Sequence, residues 1–118
     1  MINLEVERGD IVFANLDPVI GSEISKTRPV MIISNDLNNK YSNTVTVIPI
    51  STLISNKIYP FEVLLNSNES GLKYDSIAKA NQIRTIDKKR LLSKVTKIND
   101  NLITLIEQAI CIHLNIEL

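Results

Sequence analysis

The chain has one cysteine, one histidine and no tryptophan in 118 residues. A lone Cys111 excludes an internal disulfide and fits a reducing compartment. With one histidine and carboxylates scattered along the sequence, no group of residues has the spacing of a zinc or calcium site, so neither metal nor cofactor is expected. Aromatics amount to 4% and are limited to Phe13, Tyr41, Tyr59, Phe61 and Tyr74. That supply is too small for the stacking platform of a protein that coats single-stranded nucleic acid. An excess of charge is lacking too, since 13 basic and 13 acidic residues cancel, which argues against bulk attraction to a polyanion. No apolar run approaches the roughly 18 residues of a membrane span, and Glu5 and Glu7 are foreign to a signal peptide. The expectation is a soluble, cytoplasmic protein without membrane contact.

What is present supports one core. Apolar residues make up 44% of a chain of ordinary domain length, so residues 1–118 are expected to form a single domain. Charge is unevenly distributed: Lys79, Arg84, Lys88, Lys89, Arg90, Lys94 and Lys97 face Asp87 alone, a local excess of +6. Such a cluster is more often a solvated face than a binding patch.

Asp10 to Leu16, Pro29 to Ser34, Thr44 to Ile50 and Tyr59 to Leu65 read as strands, being rich in β-branched or aromatic residues between Gly, Pro, Asn and Ser. Ser76 to Thr85 is a fifth strand, and the strands are expected to connect as a meander. Asp36-Leu37-Asn38-Asn39-Lys40 and Asn66 to Gly71 have the chemistry of loops. Asp87 can cap a short turn through Leu92, and Asn99 or Asp100 a longer helix from Asn101 to about Leu114. Leu102, Leu105, Ile106, Ala109, Ile110 and His113 fall on one face of that helix, which predicts packing over the strands with His113 at the core edge. Tyr59-Pro60-Phe61 is expected to be partly committed to the core. The pattern as a whole predicts an α+β protein, mainly β, with five or more antiparallel strands in a strongly bent sheet, a short helix and a C-terminal helix.

Arg28 stands out chemically. It lies between the polar segment Gly21-Ser22-Glu23-Ile24-Ser25-Lys26-Thr27 and the strand-like Pro29-Val30-Met31-Ile32-Ile33. Pro29 fixes its own φ and holds Arg28 extended, so the guanidinium projects from a stiff strand entrance, an arrangement suited to clamping a phosphate. The alternative is an ion pair with Glu23 or Asp36. His113 and Cys111 stand about 200° apart around their helix and share no face; the usual general base is lacking.

Arg8-Gly9-Asp10, Asp17-Pro18, Gly21-Ser22-Glu23, Arg28-Pro29-Val30, Asn35-Asp36, Val45 to Thr52, Tyr59-Pro60-Phe61-Glu62-Val63 and Gln82-Ile83-Arg84-Thr85-Ile86-Asp87 succeed one another over most of the chain. In order and spacing they resemble the MazF/PemK family of toxins. The resemblance implies the SH3-like barrel of the MazF and CcdB toxins. It also implies a metal-independent, sequence-specific endoribonuclease of a type II toxin–antitoxin system, acting on single-stranded mRNA. RNA supplies its own nucleophile: the 2′-hydroxyl attacks the adjacent phosphorus, leaving a 2′,3′-cyclic phosphate and a 5′-hydroxyl, so that positioning and charge stabilisation are the enzyme's tasks. Catalytic roles are implied for Arg28, for a hydroxyl at Ser51 or its neighbour Thr52, and for Glu23 as an accessory group. RNA contacts are implied for Ser22, Lys26, Thr52, Asn81, Gln82 and Arg84. A homodimer with RNA across a groove between subunits, and an acidic MazE-like antitoxin in that groove, belong to the same expectation. The loop before Arg28 departs from the family by carrying Ile24-Ser25-Lys26-Thr27 where small residues are common. Two rival readings are a non-enzymatic, CcdB-like gyrase poison and an inactive SH3-like RNA-binding module; CcdB relatives end in Trp-Gly-Ile, whereas this chain ends Asn115-Ile116-Glu117-Leu118.

Overall fold

Each of the first three strands carries apolar residues on both faces. In β1 (Asp10–Asn15), β2 (Thr27–Ile32) and β3 (Thr44–Thr52), neighbouring residues alternate between two buried clusters. Ile11, Met31, Ile48 and Ile50 face one way, and Val12, Val30, Ile32, Val45 and Val47 the other. A period of two places successive side chains on opposite sides of a sheet, so these strands form a wall between two cores. The computed structural model describes residues 4–117 of the chain.

With β4 (Glu62–Leu65), β5 (Ser76–Lys79), β6 (Arg84–Asp87) and β7 (Leu91–Lys97), the sheet has seven strands among the described residues, in the order β4-β5-β3-β2-β1-β7 with β6 also paired to β3, all antiparallel where paired. β1, β2 and β3 follow one another as expected. The rest is not a meander: β4 (Glu62–Leu65) lies outside β5 (Ser76–Lys79), and β7 (Leu91–Lys97) crosses to the free edge of β1. α3 (Asp100–Leu114) covers one face through Leu102, Ile106 and Ala109, and its Asn99 cap accepts from the Leu102 N–H at 2.9 Å. The mainly-β α+β class holds.

β3 changes partner along one edge. Thr44 to Val47 pair with β6 (Arg84–Asp87), ending at Val47↔Arg84, and Ile50 to Thr52 pair with β5, starting at Ile50↔Ala78. Ile48 and Pro49, two residues, therefore face the five residues 79–83, and the surplus of three is extruded as the 3-10 turn Ala80–Gln82. Backbone groups alternate edges along a strand, and the Thr46 carbonyl accepts from Ile33 and Ser34 on the β2 side. Position 49 thus addresses the gap, where proline has no N–H to leave unpaired.

Several expectations give way here. Asp36 to Lys40 lies in a helix, α1 (Asp36–Tyr41), not a loop: Asn35 caps it, accepting from the Asn38 N–H at 2.8 Å, and the buried Asn39 bonds Ser34 and Asp36. Ser67–Ser70 forms a single turn, α2, closed by Gly71 at φ 78°. The fourth strand starts at Glu62, because Tyr59 and Glu62 close a turn, with Tyr59 N bonded to Glu62 Oε1 at 2.9 Å. The fifth breaks at the extruded turn. Asp87 does cap a short turn, accepting from the Lys89 N–H, but that turn is the 3-10 segment Lys88–Arg90, and β7 follows at once. His113 and Tyr59 are exposed; Phe61 stacks on Tyr59 at 5.5 Å and meets His113 edge-on at 6.3 Å outside the core.

Ile106 is fully buried between α3 and the sheet. Ile106→Ala should lower unfolding free energy by about 2–5 kcal/mol, read from the urea midpoint. Asp36 should give a pH signature. The hydrogen bond from the Arg8 N–H holds its carboxyl below the usual value, with the Asn39 bond and the charges of Lys97 and Arg8 assisting against desolvation. A depressed folded-state pKa stabilises above the unfolded value and is lost as pH falls. Asp36→Asn should therefore lower stability modestly near neutrality, where the charged carboxylate contributes, and flatten the acid limb of the stability–pH curve, so that the two proteins converge at low pH.

Candidate active site

The loop between β1 and β2 folds back on itself before it delivers Arg28. Gly21 occupies φ 58°, inside a turn in which Glu23 Oε1 accepts from the Ile20 N–H at 2.6 Å. The Ile24 N–H reaches Gln82 Oε1 at 3.4 Å, tying the loop to the extruded turn. Together these segments enclose a shallow cleft of about 340 Å³ lined by Ser22, Glu23, Ile24, Pro49, Asn81, Gln82, Ile83 and Arg84. Five residues singled out from the sequence, Ser22, Glu23, Asn81, Gln82 and Arg84, thus meet in one place. Arg84 is partly committed, since its Nη1 donates to the Leu16 carbonyl at 3.3 Å.

Arg28 and Ser51 are not among the residues that line the cleft. Arg28 opposes Ala14 of β1, on the face that carries Val30 and Ile32. The β2–β3 ladder ends at Val30↔Pro49; Arg28 lies two residues before Val30 and Ser51 two residues beyond Pro49, so alternation puts both on the face that carries Val30. Thr52 falls on the other face, and Lys26 lies exposed outside the cleft lining. Alternation thus separates the two hydroxyls that the sequence left as alternatives: only Ser51 shares a face with Arg28.

Half-buried Arg28 makes neither of the ion pairs considered for it. Among the described residues its one hydrogen bond runs from Nε to the Ser25 carbonyl at 2.9 Å, and both Nη groups are uncommitted. Asp36 instead accepts from the Arg8 N–H at 2.7 Å, and Glu23 closes its own turn. The Ser51 hydroxyl likewise has no partner among the described residues; Ser51 pairs through its backbone with Ile77 and caps no turn. Elsewhere the basic cluster is largely engaged: Lys79 with Glu62 at 3.7 Å, Lys94 with Asp10 at 3.4 Å, Lys97 with Glu7 at 3.3 Å, and Lys88 with the Asn39 carbonyl.

Residues 7–114 match the family described as the PemK-like, MazF-like toxin of type II toxin-antitoxin systems. The chain belongs to that family. A curated relative, Endoribonuclease EndoA of Bacillus subtilis (strain 168), is 40% identical over 109 residues, covering 92% of this chain and 94% of its own. The fold is shared with MazF of Deinococcus radiodurans, at a TM-score of 0.81 and 20% identity over 95% of this chain and 98% of that one. It is shared also with a mycobacterial endoribonuclease solved in complex with its cognate antitoxin, at a TM-score of 0.77 and 18% identity over 96% and 98%.

Sequence reasoning missed Ile24, Pro49 and Ile83 as lining residues, and the anchoring role of Arg90, whose Nη1 donates to the carbonyls of Asn15, at 3.1 Å, and Asp17. The signal for Pro49 was present, as a proline inside an apolar run. Because no carboxylate pairs with Arg28, Arg28→Ala should leave the melting temperature within a few degrees of the wild type. A large fall would mean that the guanidinium supports the fold.

Proposed function

We infer that this toxin is a sequence-specific endoribonuclease that cleaves single-stranded mRNA without a metal ion, leaving a 2′,3′-cyclic phosphate and a 5′-hydroxyl. The observation that carries this reading is Arg28, held by Nε alone with its Nη pair uncommitted, on the face it shares with Ser51. Two parallel N–H donors match two oxygens of one phosphate.

In the reaction the 2′-hydroxyl loses its proton and attacks the neighbouring phosphorus, and the bond to the 5′-oxygen breaks. The 5′-oxygen leaves with a proton, and the 2′- and 3′-oxygens share the phosphate. Negative charge accumulates on the non-bridging oxygens midway, and the Arg28 fork meets it. The Ser51 hydroxyl bonds the same phosphate or orients the 2′-hydroxyl. Glu23 assists from the cleft; Oε1 is held by the Ile20 N–H and Oε2 has no partner among the described residues. Ser22, Asn81, Gln82 and Arg84 offer hydroxyl, amide and guanidinium groups to unstacked bases, with Lys26 and Thr52 as outer contacts. The name of the relative from Bacillus subtilis supports an endoribonuclease. The antitoxin complex of the mycobacterial neighbour supports a cognate antitoxin for this chain; the proposal further takes that antitoxin to be acidic and MazE-like and the toxin to act as a homodimer.

Cleavage of a long mixed-sequence transcript, with end-group analysis and excess chelator, tests the chemistry. Cyclic or 3′-phosphate and 5′-hydroxyl ends should form undiminished in chelator; 5′-phosphate ends or a strict need for added magnesium would defeat it. Arg28→Ala should slow cleavage by roughly a hundred- to a thousandfold, and Arg28→Lys nearly as much, because lysine keeps the charge without the fork. Ser51→Ala should lower the rate with little loss of RNA affinity, whereas Thr52→Ala should retain most of it; the reverse would transfer the role to Thr52.

A further inference from the structure

Lys26 is a backbone outlier. Its φ of 71° lies in the left-handed region, which lysine adopts only under constraint. The constraint is a single peptide plane held at both ends. The N–H of Lys26 donates to Asp17 Oδ1 at 3.0 Å, and the carbonyl of Ser25, the other end of that same peptide unit, accepts from Arg28 Nε at 2.9 Å. A peptide unit is rigid and trans, so fixing the direction of its N–H fixes the direction of its C=O.

The outer end of this relay is itself anchored. The Asp17 N–H donates to Asn15 Oδ1 at 3.0 Å, and the Arg90 guanidinium grips the carbonyls of Asn15 and Asp17. On the far side of Lys26, its carbonyl accepts from the Leu16 N–H at 3.0 Å. Lys26 is thus pinned at its N–H and its C=O by two consecutive residues of the loop entrance.

We propose that Asp17 is a positioning residue: through the Ser25–Lys26 peptide its carboxylate aims the Arg28 guanidinium, occupying Nε so that the Nη pair is presented to the phosphate. This rests on the reading of Arg28 as the phosphate clamp. Without Asp17, the left-handed conformation at Lys26 loses its support, the peptide is free to turn, and the guanidinium loses the acceptor that sets its rotation. The charge of Arg28 remains, so substrate capture persists while alignment in the transition state degrades.

The test uses Asp17→Ala, Asp17→Asn and Asp17→Ala with Lys26→Gly, assayed on an oligoribonucleotide spanning a mapped cut, beside NMR observation of the Arg28 Nε–H signal. Asp17→Ala should lower kcat about tenfold with KM within about twofold, and should speed solvent exchange of the Nε–H. Asp17→Asn, which keeps an oxygen acceptor, should stay within about threefold of wild type. Adding Lys26→Gly to Asp17→Ala should restore kcat and slow exchange again, because glycine holds a positive φ unaided, whereas KM rises with loss of the lysine cation. The proposal is overturned if Asp17→Ala keeps kcat and Nε–H protection, whatever its melting temperature, or if glycine restores neither. If the wild-type protein cleaves no RNA while the Nε–H responds as expected, the relay stands and the nuclease reading falls.

Discussion

The change of partner along β3 is the constraint from which the rest of the site follows. A strand with one continuous neighbour would have kept residues 76–87 in a single ladder. Because Val47 closes on Arg84 and Ile50 opens on Ala78, three residues have no place in the sheet and are pushed out as a turn. That turn carries Asn81 and Gln82, and its amide reaches the β1–β2 loop. The cleft is thus a by-product of register. Pro49 makes the gap tolerable, since a residue with an N–H there would leave a donor facing nothing on that edge.

Two cores hold this geometry still. The cluster under α3 and the cluster on the opposite face bury the two sides of the same three strands, so β2 cannot shift by one residue without exchanging Met31 for Val30 or Ile32 across the sheet. Arg28 inherits that rigidity. It is the residue at which the second cluster ends and solvent begins, one strand position before Pro29 and two before buried Val30. The basic stretch that looks like a polyanion surface in composition is largely occupied in the fold by Glu62, Asp10, Glu7 and main-chain carbonyls.

Much of this was legible in the sequence, for reasons that differ by element. β1, β2 and β3 were visible because Val, Ile and Phe recur between breakers, and α3 because its apolar residues follow a helical period. β7 was not, since Leu91-Leu92-Ser93-Lys94-Val95-Thr96-Lys97 buries little beyond Leu91 and carries lysines as an edge strand does. α1 was hidden by polarity: Asn39 is buried but bonded, a distinction no hydropathy pattern contains. Arg28 and the other candidate site residues were singled out through motif and resemblance, and the structure brings Ser22, Glu23, Asn81, Gln82 and Arg84 together in one cleft. The left-handed turn at Lys26 could not be anticipated, because lysine gives no sign of a positive φ; in the fold the Asp17 carboxylate holds its N–H and the Leu16 N–H its carbonyl.

The closure of β1 by β7 has a bearing on synthesis. β1 spans Asp10–Asn15, yet its outer edge is paired only by Leu91–Lys97, and the loop carbonyls at Asn15 and Asp17 await Arg90. Contacts across such a separation form late, once the intervening chain is available. A ribosome that has translated β1 to β6 carries a nascent chain whose first strand has one open edge and whose β1–β2 loop lacks its Arg90 anchor. Fragments released early lack the last strand, and with it both the closing edge of β1 and the grip of Arg90 on the loop entrance.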